Sequence, residues 1–275
     1  MTDTTAPDAG HDRLATGWGA REPIDDSVLR RFVFNQADVV RAMAGGPSGR
    51  ASSDDDVVMV DSGGPVAYNN MAVLLRPVSS ADDPVLDRIA EFYAEATDRV
   101  ALLLSVWPLP DLTARGLALG GHPMFVVRPP GPVTAATRDA VEVRDVTTLD
   151  DLHALERVAV DGYPLDEAAG SPPGTVFSDT LLDSPVALRL GYVDGEPVSG
   201  AAALDAHGVV NLCFAATLPA GRRRGVWSAL VWARVNQAPD QPSVAFTSDD
   251  SRPGFVRMGF IPLTRFTLLV RPPVT

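Results

Sequence analysis

A short apolar segment that ends in Arg-Pro-Pro occurs twice in this 275-residue chain. Residues 125–130 read Phe-Val-Val-Arg-Pro-Pro and residues 268–273 read Leu-Leu-Val-Arg-Pro-Pro, so Arg128 and Arg271 stand 143 positions apart. A repeat this short can arise by chance in a chain rich in Arg and Pro. The same order of predicted elements (strand, helix, strand, short helix, strand) leads to both copies, however, and this agreement favours two related halves.

The first Arg-Pro-Pro copy also marks the clearest domain boundary. Residues 128–132 read Arg-Pro-Pro-Gly-Pro, and proline both stiffens a chain and removes hydrogen-bond donors from a sheet. The first 22 residues are polar and small, so a flexible tail is expected there. The predicted organisation is a tail over residues 1–22, one domain over residues 23–132 and a second over residues 133–275.

Hydrophobic periodicity predicts helices and strands in both halves. Apolar residues at steps of three and four predict the first helix, and residues 45–56 are predicted as a loop. The predicted helices cover residues 25–44, 84–93, 112–119, 149–160, 225–236 and 252–258. The predicted strands cover residues 57–60, 67–75, 101–107, 124–128, 141–144, 186–192, 197–204, 209–216, 243–247 and 263–270.

The charged residues exclude several classes of function. All 23 basic residues are Arg, so the chain has no lysine for a Schiff base, a general base or a phosphate loop. The net charge of −12 argues against binding to nucleic acid or to anionic membranes. The single cysteine, Cys213, excludes an internal disulfide and a Cys-rich metal site. No apolar run opens the chain, so we expect a cytoplasmic protein.

The segment from residue 214 to residue 231 carries the strongest functional signal. It is predicted to run from a strand, through a turn with Pro and Gly, into a helix that follows Arg222, Arg223, Arg224 and Gly225. Backbone N–H groups at a helix N-terminus are unpaired and lie at the positive end of the dipole, so such a turn can hold an anion. The alternative is that the three arginines are solvated loop charges.

Two motifs in the second half resemble the signatures of the GNAT acyltransferase superfamily. In the first signature, Arg or Gln, two residues, Gly, one residue and then Gly or Ala open a helix, and Arg222, Gly225 and Trp227 take these places. Residues 248–260, which end in Met-Gly-Phe, are similar to the second signature. The resemblance covers residues 140–275. It implies an α/β fold in which two GNAT-like lobes lie in tandem, each a twisted and mostly antiparallel sheet flanked by helices.

The resemblance also implies a co-substrate and its binding residues. Acetyl-CoA, or another acyl-CoA, would lie between two strands that separate, and neither a metal nor a lysine would be needed. Backbone groups of the strand end would bind the pantetheine arm, and those of the turn and the helix start would hold the pyrophosphate. The implied residues are Ala215, Ala216, Thr217, Arg222, Arg223, Arg224, Gly225, Val226, Trp227 and Ser228.

Candidate catalytic residues are Asp205, His207, Asp249 and Ser251. A histidine can accept a proton near neutral pH, while polar turns and solvated helix starts are the alternative explanations. Trp227 stands where the family has Gly or Ala, and Phe255 stands where it has a tyrosine that protonates the leaving thiolate. Ser251 or water would then supply that proton. Cys213 is interpreted as a core residue.

The remaining expectations concern the acceptor. Tyr163, together with the acids Asp161, Asp166 and Glu167, lies where the family selects acceptors, and these acids could receive a cationic amine. The first half is interpreted as a degenerate copy without cofactor that shapes the acceptor cleft. Its candidate acceptor contacts are residues 68–70 and residues 107–111, with core packing of Trp107 as the alternative.

The sequence thus predicts transfer of an acetyl or other short acyl group from acyl-CoA to a small molecule that bears an amine. The alternative is a CoA-binding or interaction module with little or no activity. The expected partners are the acceptor and CoA, without nucleic acid or membrane, and a homodimer is compatible with the sequence.

Overall fold

The protein folds into two mixed sheets flanked by helices. The structure is a computed structural model and describes residues 27–131, 133, 140–163 and 165–273. The predicted tail and Pro132 at the predicted boundary lie outside these residues. Neighbouring strands are antiparallel except for one parallel pair in each sheet. The predicted α/β fold class, with two mostly antiparallel sheets, is confirmed.

The first sheet has six strands in the order β1-β2-β3-β4-β13-β5. Helix α1 packs on one face of this sheet, and helix α2 packs on the other through a separate cluster of buried residues. The bounds are α1 Val28–Met43, β1 Arg50–Ser53, β2 Val57–Asp61, β3 Asn70–Leu74, α2 Pro84–Phe92, β4 Ala101–Ser105, β5 Ala118–Gly121 and β13 Thr267–Arg271.

The second sheet has seven strands in the order β12-β6-β11-β10-β9-β8-β7. Short 3-10 helices at Ala67–Asn69, Thr113–Arg115, Asp166–Ala168, Asp179–Asp183 and Pro219–Gly221 lie in the connections of the two sheets. The bounds are β6 Met124–Arg128, β7 Val141–Asp145, α3 Leu149–Gly162, β8 Ala187–Val193, β9 Glu196–Ala206, β10 Val209–Thr217, α4 Val226–Val235, β11 Ser243–Thr247, α5 Arg252–Arg257 and β12 Ile261–Arg265.

The two halves of the chain exchange one strand each. Strand β6 leaves the first half and pairs with β11 and β12, whereas β13 pairs with β4 and β5. These two strands are the apolar segments of the Arg-Pro-Pro repeat. The sheets therefore do not divide at the predicted boundary between residues 132 and 133, because each sheet contains a strand from the other half.

An aromatic cluster lies where the exchanged strands cross. Phe32 of α1, Phe125 of β6 and Phe266, which separates β12 from β13, are fully buried, with ring centroids 5.0 to 5.3 Å apart. The backbone N–H of Phe266 donates to the carbonyl of Pro123 at 3.0 Å. The predicted single strand over residues 263–270 is wrong, because the chain passes from one sheet to the other at Phe266.

Three further elements of the first half differ from the prediction. Strand β1 lies within the predicted loop, since its polar side chains hide it from periodicity. The predicted strand at residue 67 begins as a 3-10 turn. The predicted helix over residues 112–119 is a 3-10 turn that ends at Gly116, whose φ of 75° is left-handed, and β5 follows it.

The helix starts follow ordinary capping rules. The Asp83 side chain accepts from the N–H of Val85, with Pro84 in the first turn of α2. The Thr148 hydroxyl accepts from the N–H of Asp151 and begins α3. Among the residues described above, no helix combines the length and the apolar character that crossing a membrane requires.

Candidate active site

Strands β10 and β11 separate shortly after they meet. Their parallel pairing is confined to Val210 with Ser243 and Asn211 with Val244, although β10 continues to Thr217 and β11 to Thr247. On its other side, β10 shows a bulge against β9 between Asn211 and Phe214, and a bulge bends the strand that carries it. The predicted opening between these two strands is therefore present. The equivalent pair β3 and β4 stays paired from Met71 to Val73 and leaves no such opening.

A buried arginine spans the bulge. Arg234 of α4 is fully buried, and its Nη1 donates to the carbonyls of Ala202 at 3.2 Å and Phe214 at 2.9 Å. Its Nε donates to the carbonyl of Leu230 at 3.1 Å, while Nη2 has no hydrogen-bond partner among the described residues. Burial lowers the pKa of Arg234 to about 9, so the group stays charged at neutral pH. Sequence reasoning missed this residue, whose one signal is that it is the single charged residue of α4.

The N-terminus of α4 lies directly after the opening and has free donors. Gly225 precedes the helix with a left-handed φ of 93°, and none of the described side chains caps the first turn. The N–H groups of Val226, Trp227 and Ser228 therefore have no acceptor within the helix. Arg223 adopts a φ of 62°, a conformation uncommon for a residue with a side chain. This turn combines free backbone donors with the positive end of a helix dipole, which suits an anion.

The arginines before α4 are exposed and lie at the surface of this turn. Arg222 Nε donates to the carbonyl of Thr217 at 3.3 Å, which ties the turn to the end of β10. Arg224 Nη2 lies 2.6 Å from Asp194 Oδ2 in the turn between β8 and β9, and both side chains are largely exposed. The residues of this turn fit a pyrophosphate, because unpaired helix N–H groups lie beside the opening and arginines lie at the surface of the turn.

Trp227 and Phe255 form one wall of the opening. The two rings pack edge to face with centroids 5.1 Å apart, and Phe255 packs in the same way on Phe260. A Cβ added at Gly254 would lie 2.8 Å from the indole, so Trp227 fills the space between α4 and α5. Phe255 is buried and supplies an aromatic ring without a hydroxyl.

A cavity of about 410 Å³ extends from this opening towards the first half of the chain. Its walls include α1, the turn at residues 67–69, the segment 120–123 and the segment 165–177, as well as β10 and the end of β11. This volume lies in the range of about 300–1,000 Å³ that is usual for small-molecule sites. The first half thus forms part of the cavity wall.

Asp249 and Ser251 lie in the cavity wall. Asp249 Oδ1 is 2.7 Å from Arg265 Nη2 and 3.3 Å from Arg252 Nη1, and the Arg265 guanidinium lowers the pKa of Asp249. A carboxylate held in this way is a weaker proton acceptor. The Ser251 hydroxyl is 3.1 Å from that of Ser248 and lies four residues before Phe255, on the same side of α5.

Asp205 and His207 lie elsewhere, so the structure does not bring them together with Asp249 and Ser251. They belong to the hairpin between β9 and β10, outside the described lining of the cavity. His207 Nε2 is 2.7 Å from Asp38 Oδ2, and Asn35 Nδ2 donates to the carbonyls of Leu204 and Ala206. The contacts of His207 and Asn35 attach the hairpin to α1, at the end of β10 opposite the bulge.

Two tyrosines meet at the rim of the cavity. The hydroxyls of Tyr68 and Tyr163 are 3.3 Å apart and their rings pack edge to face. Burial raises the pKa of Tyr68, so it remains a neutral phenol. Asn69 also lines the cavity and donates from Nδ2 to the carbonyl of Val176 at 2.8 Å. The first half therefore contributes Tyr68 and Asn69 to the cavity wall.

The other predicted acceptor contacts lie elsewhere. Asn70 is fully buried and holds the turn at Ser62 and Gly64 through its side chain. Trp107 packs in the core of the first half. The acids Asp161, Asp166 and Glu167 are exposed and do not belong to the described lining.

Glu156 is a buried carboxylate that sequence reasoning missed. It lies on α3, and its two oxygens accept four backbone N–H groups, from Gly174, Thr175, Val176 and Phe177, at 2.9 to 3.4 Å. Val176 and Phe177 line the cavity. Glu156 therefore fixes one wall of the cavity from behind.

The corresponding helix start in the first half is occupied by its own acid. Asp83 caps α2 and forms an ion pair with Arg76 at 2.7 Å, which lowers the pKa of Asp83 to about 2. A second anion at this helix start would be repelled. Across the described residues, no cluster of three or more His, Cys, Asp or Glu side chains could hold a metal ion.

Comparisons with known proteins bear on the fold. No protein-family profile matches the sequence, and no curated protein matches it. Among solved structures, a GCN5-related N-acetyltransferase from Kribbella flavida is similar, with a TM-score of 0.61 and 21% identity over 89% of this chain and 95% of that chain. A protein from Novosphingobium aromaticivorans that is assigned to the GNAT family has a TM-score of 0.54 and 14% identity, over 86% and 97% of the two chains.

A protein of unknown function from Staphylococcus epidermidis is also similar, with a TM-score of 0.57 and 10% identity over 84% of this chain and 99% of that chain. At these identities the comparison concerns the fold. The similarity extends over both halves of the chain, in agreement with the two matching sheets. The protein has the fold of the GCN5-related N-acetyltransferases.

Proposed function

We propose that the protein transfers an acetyl or other short acyl group from acyl-CoA to a small molecule that bears an amine. The observation that carries this proposal is the opening between β10 and β11, which ends at the free donors of the α4 N-terminus. A pyrophosphate would accept from the N–H groups between Arg223 and Ser228. The pantetheine arm would lie along residues 215–217, whose edge towards β11 is unpaired.

The reaction would be a direct displacement at the thioester carbonyl. The amine nitrogen forms the C–N bond and gives up one proton to water, the C–S bond breaks, and the thiolate takes a proton. The cavity brings the two reactants together, and positioning of this kind contributes much of the rate in such reactions. Ser251 directly precedes α5, and its hydroxyl is the one nearest in sequence to Phe255, so we assign Ser251 the role of proton donor.

A second candidate function is a CoA-binding module without activity. Phe255 favours it, because a phenyl ring cannot donate a proton, and Trp227 favours it, because the indole narrows the opening. Release of CoA thiol separates the two candidates. Tight binding of acetyl-CoA with no thiol release on any amine would identify the module, whereas amine-dependent release would identify the enzyme.

The test is isothermal titration of the full chain with acetyl-CoA. Arg224→Glu should weaken binding about tenfold or more, since a hydrogen bond to a charged group contributes about 1.5–3 kcal/mol. Arg144→Glu is the matched control, because Arg144 is also a largely exposed arginine paired with one carboxylate at 2.6 Å, but at the far edge of the sheet. Absence of binding at millimolar acetyl-CoA, or equal loss in both variants, would refute the proposal.

A further inference from the structure

We infer that the acceptor is a hydrophobic primary amine that enters the cavity as the uncharged free base. The inference rests on the proposed function and narrows it to one class of substrate. It depends on which side chains face the cavity between the two halves of the chain and on which charges they carry.

The interior of the cavity is apolar on several sides. The side chains that form it come from α1, from the segment 165–177 and from β11: Val40, Met43, Leu165, Val176, Phe177 and Phe246. Neutral hydrogen-bonding groups, those of Gln36, Asn69 and the tyrosine pair, accompany them. A ligand with an aliphatic or aromatic body buries apolar surface here, and each buried CH₂ favours binding.

The charged groups of the cavity disfavour a cation. Asp249 is the carboxylate of the described lining, and its 64%-exposed side chain is already engaged by Arg265 and Arg252. Arg234 is a buried positive charge whose hydrogen bonds all go to backbone carbonyls. The other titratable groups of the lining are His122, Cys213, Tyr68 and Tyr163. The carboxylate of Glu167 acts electrostatically on Tyr68 at the rim but is exposed and lies outside this lining.

These other groups do not supply a counterion. Burial raises the pKa of the Cys213 thiol to about 12 and also raises the pKa of Tyr68, so both are neutral at neutral pH. His122 Nδ1 lies 3.1 Å from the carbonyl of Phe266. An ammonium group would lose its hydration and meet the charge of Arg234, so the free amine is the form that binds.

This charge pattern also separates classes of acceptor. Polyamines and aminoglycosides carry several positive charges and need carboxylates around them, which the described lining does not offer. A free alkylamine titrates near pH 10.4, so about one molecule in a thousand is uncharged at pH 7.4. The apparent affinity of a hydrophobic amine should therefore rise about tenfold for each pH unit below that pKa.

The binding experiment uses the full chain and no acyl donor. Titrations between pH 7 and pH 9 compare 2-phenylethylamine, 2-phenylethanol, (2-phenylethyl)trimethylammonium and spermidine. We expect the affinity for the amine to rise about tenfold per pH unit, and the alcohol to bind at least as well as the amine at pH 7. Equal or tighter binding of the trimethylammonium compound or of spermidine would overturn the inference.

A variant pair tests whether the ligand occupies this cavity. Met43→Glu places a carboxylate in the wall and should weaken binding of 2-phenylethanol at least about tenfold, as expected for a charge buried beside an apolar ligand. Leu182→Glu is the matched control, since Leu182 and Met43 are both partly buried against the same core cluster, but Leu182 is not among the residues that line the cavity. If Met43→Glu does not fold, Tyr163→Glu introduces the charge at a side chain that is 43% exposed. If the variant that folds, Met43→Glu or Tyr163→Glu, binds 2-phenylethanol with unchanged affinity, the ligand does not occupy this cavity.

Turnover distinguishes this inference from the proposed function. With acetyl-CoA present, faster thiol release on spermidine, kanamycin or phenylalanine than on 2-phenylethylamine would overturn the inference and leave the acyltransferase intact. Failure of acetyl-CoA to bind would refute the acyltransferase, whereas the titrations without acyl donor would still decide whether the cavity selects uncharged hydrophobic ligands.

Discussion

Glu156→Gln should loosen the cavity wall at residues 174–177 without unfolding the second half of the chain. In the native protein, one oxygen of Glu156 accepts from Thr175 and Val176, and the other from Gly174 and Phe177. A glutamine keeps one acceptor oxygen and turns an NH₂ group towards the other two donors. In each pair of donors, one N–H is buried and the other is partly exposed. Whichever pair faces the NH₂ group, its exposed N–H can bind water, whereas its buried N–H is left without an acceptor.

The cost follows from that single buried donor. An unpaired buried N–H costs about 1–3 kcal/mol, which corresponds to a local opening about 5-fold to 150-fold more frequent. Hydrogen exchange of the amides at residues 174–177 should accelerate by that factor, and the KM for the acceptor should rise with little change in kcat. Because segments open locally, amides of the central strands should keep their protection.

Glu142→Gln is the control for this measurement. Glu142 is also paired, with Arg144, but its side chain is 59% exposed at the sheet edge, and exposed ion pairs contribute little to stability. Exchange at residues 174–177 should be unchanged in this variant. Unchanged exchange in Glu156→Gln, or a uniform increase over the whole lobe, would show that Glu156 does not hold this wall.

Three further predictions concern the co-substrate opening and the first half. Ser251→Ala should lower kcat and Phe255→Tyr should raise it, each about tenfold. This change is smaller than the factor of about 10²–10⁴ usual for general acids, because a thiolate leaves readily. Steady-state thiol release measures both variants, and rates equal to that of the native protein would exclude a proton donor at Ser251 or at position 255. Trp227→Ala should widen the opening, so titration should show tighter binding of acetyl-CoA. Thermal unfolding should show that the free energy of unfolding falls by about 2 kcal/mol, less than for a fully buried tryptophan. Weaker binding of acetyl-CoA would show that the indole contacts the ligand. Asp83→Asn keeps the cap but removes the ion pair, so the melting temperature should fall at pH 7. The difference in melting temperature should disappear as the pH falls from 4 to about 2, because the ionised Asp83 stabilises the folded protein only while the pH is above its lowered pKa. Asp82→Asn, at an exposed neighbouring residue, is the control. A difference in melting temperature that does not change with pH would contradict the reasoning.

The sequence predicts those parts of the site that depend on local order. A strand, a turn with Pro and Gly and a helix follow each other from residue 209 to residue 235, and this order predicts the helix start. The opening between the two strands is predicted by the family resemblance. Asp83 and Thr148 cap α2 and α3 directly before the predicted helix starts at residues 84 and 149. The family signatures add Phe255 and Trp227, which the structure places together in one wall.

The rest depends on contacts between residues far apart in the chain. Periodicity identifies β6 and β13 as strands but not their partners, because similar apolar segments can pair in either sheet. Arg234 and Glu156 resemble ordinary helix charges until the bulge and the segment 174–177 are placed against them. His207 has the residue type of a base, and its contact with Asp38 assigns it to the hairpin instead.

The strand exchange also restricts how the cavity can open. The segment 120–123 leads from β5 into β6, and Arg265 ends β12 just before β13, so both crossings between the sheets lie in the cavity wall. Separation of the two lobes would break the pairing of β6 with β11 and β12 and that of β13 with β4 and β5. Such a motion amounts to partial unfolding, so the cavity has to admit its acceptor through a smaller movement. The segment 165–177, which lies between α3 and β8 outside both sheets and depends on Glu156, is the wall that can move without breaking a strand pair.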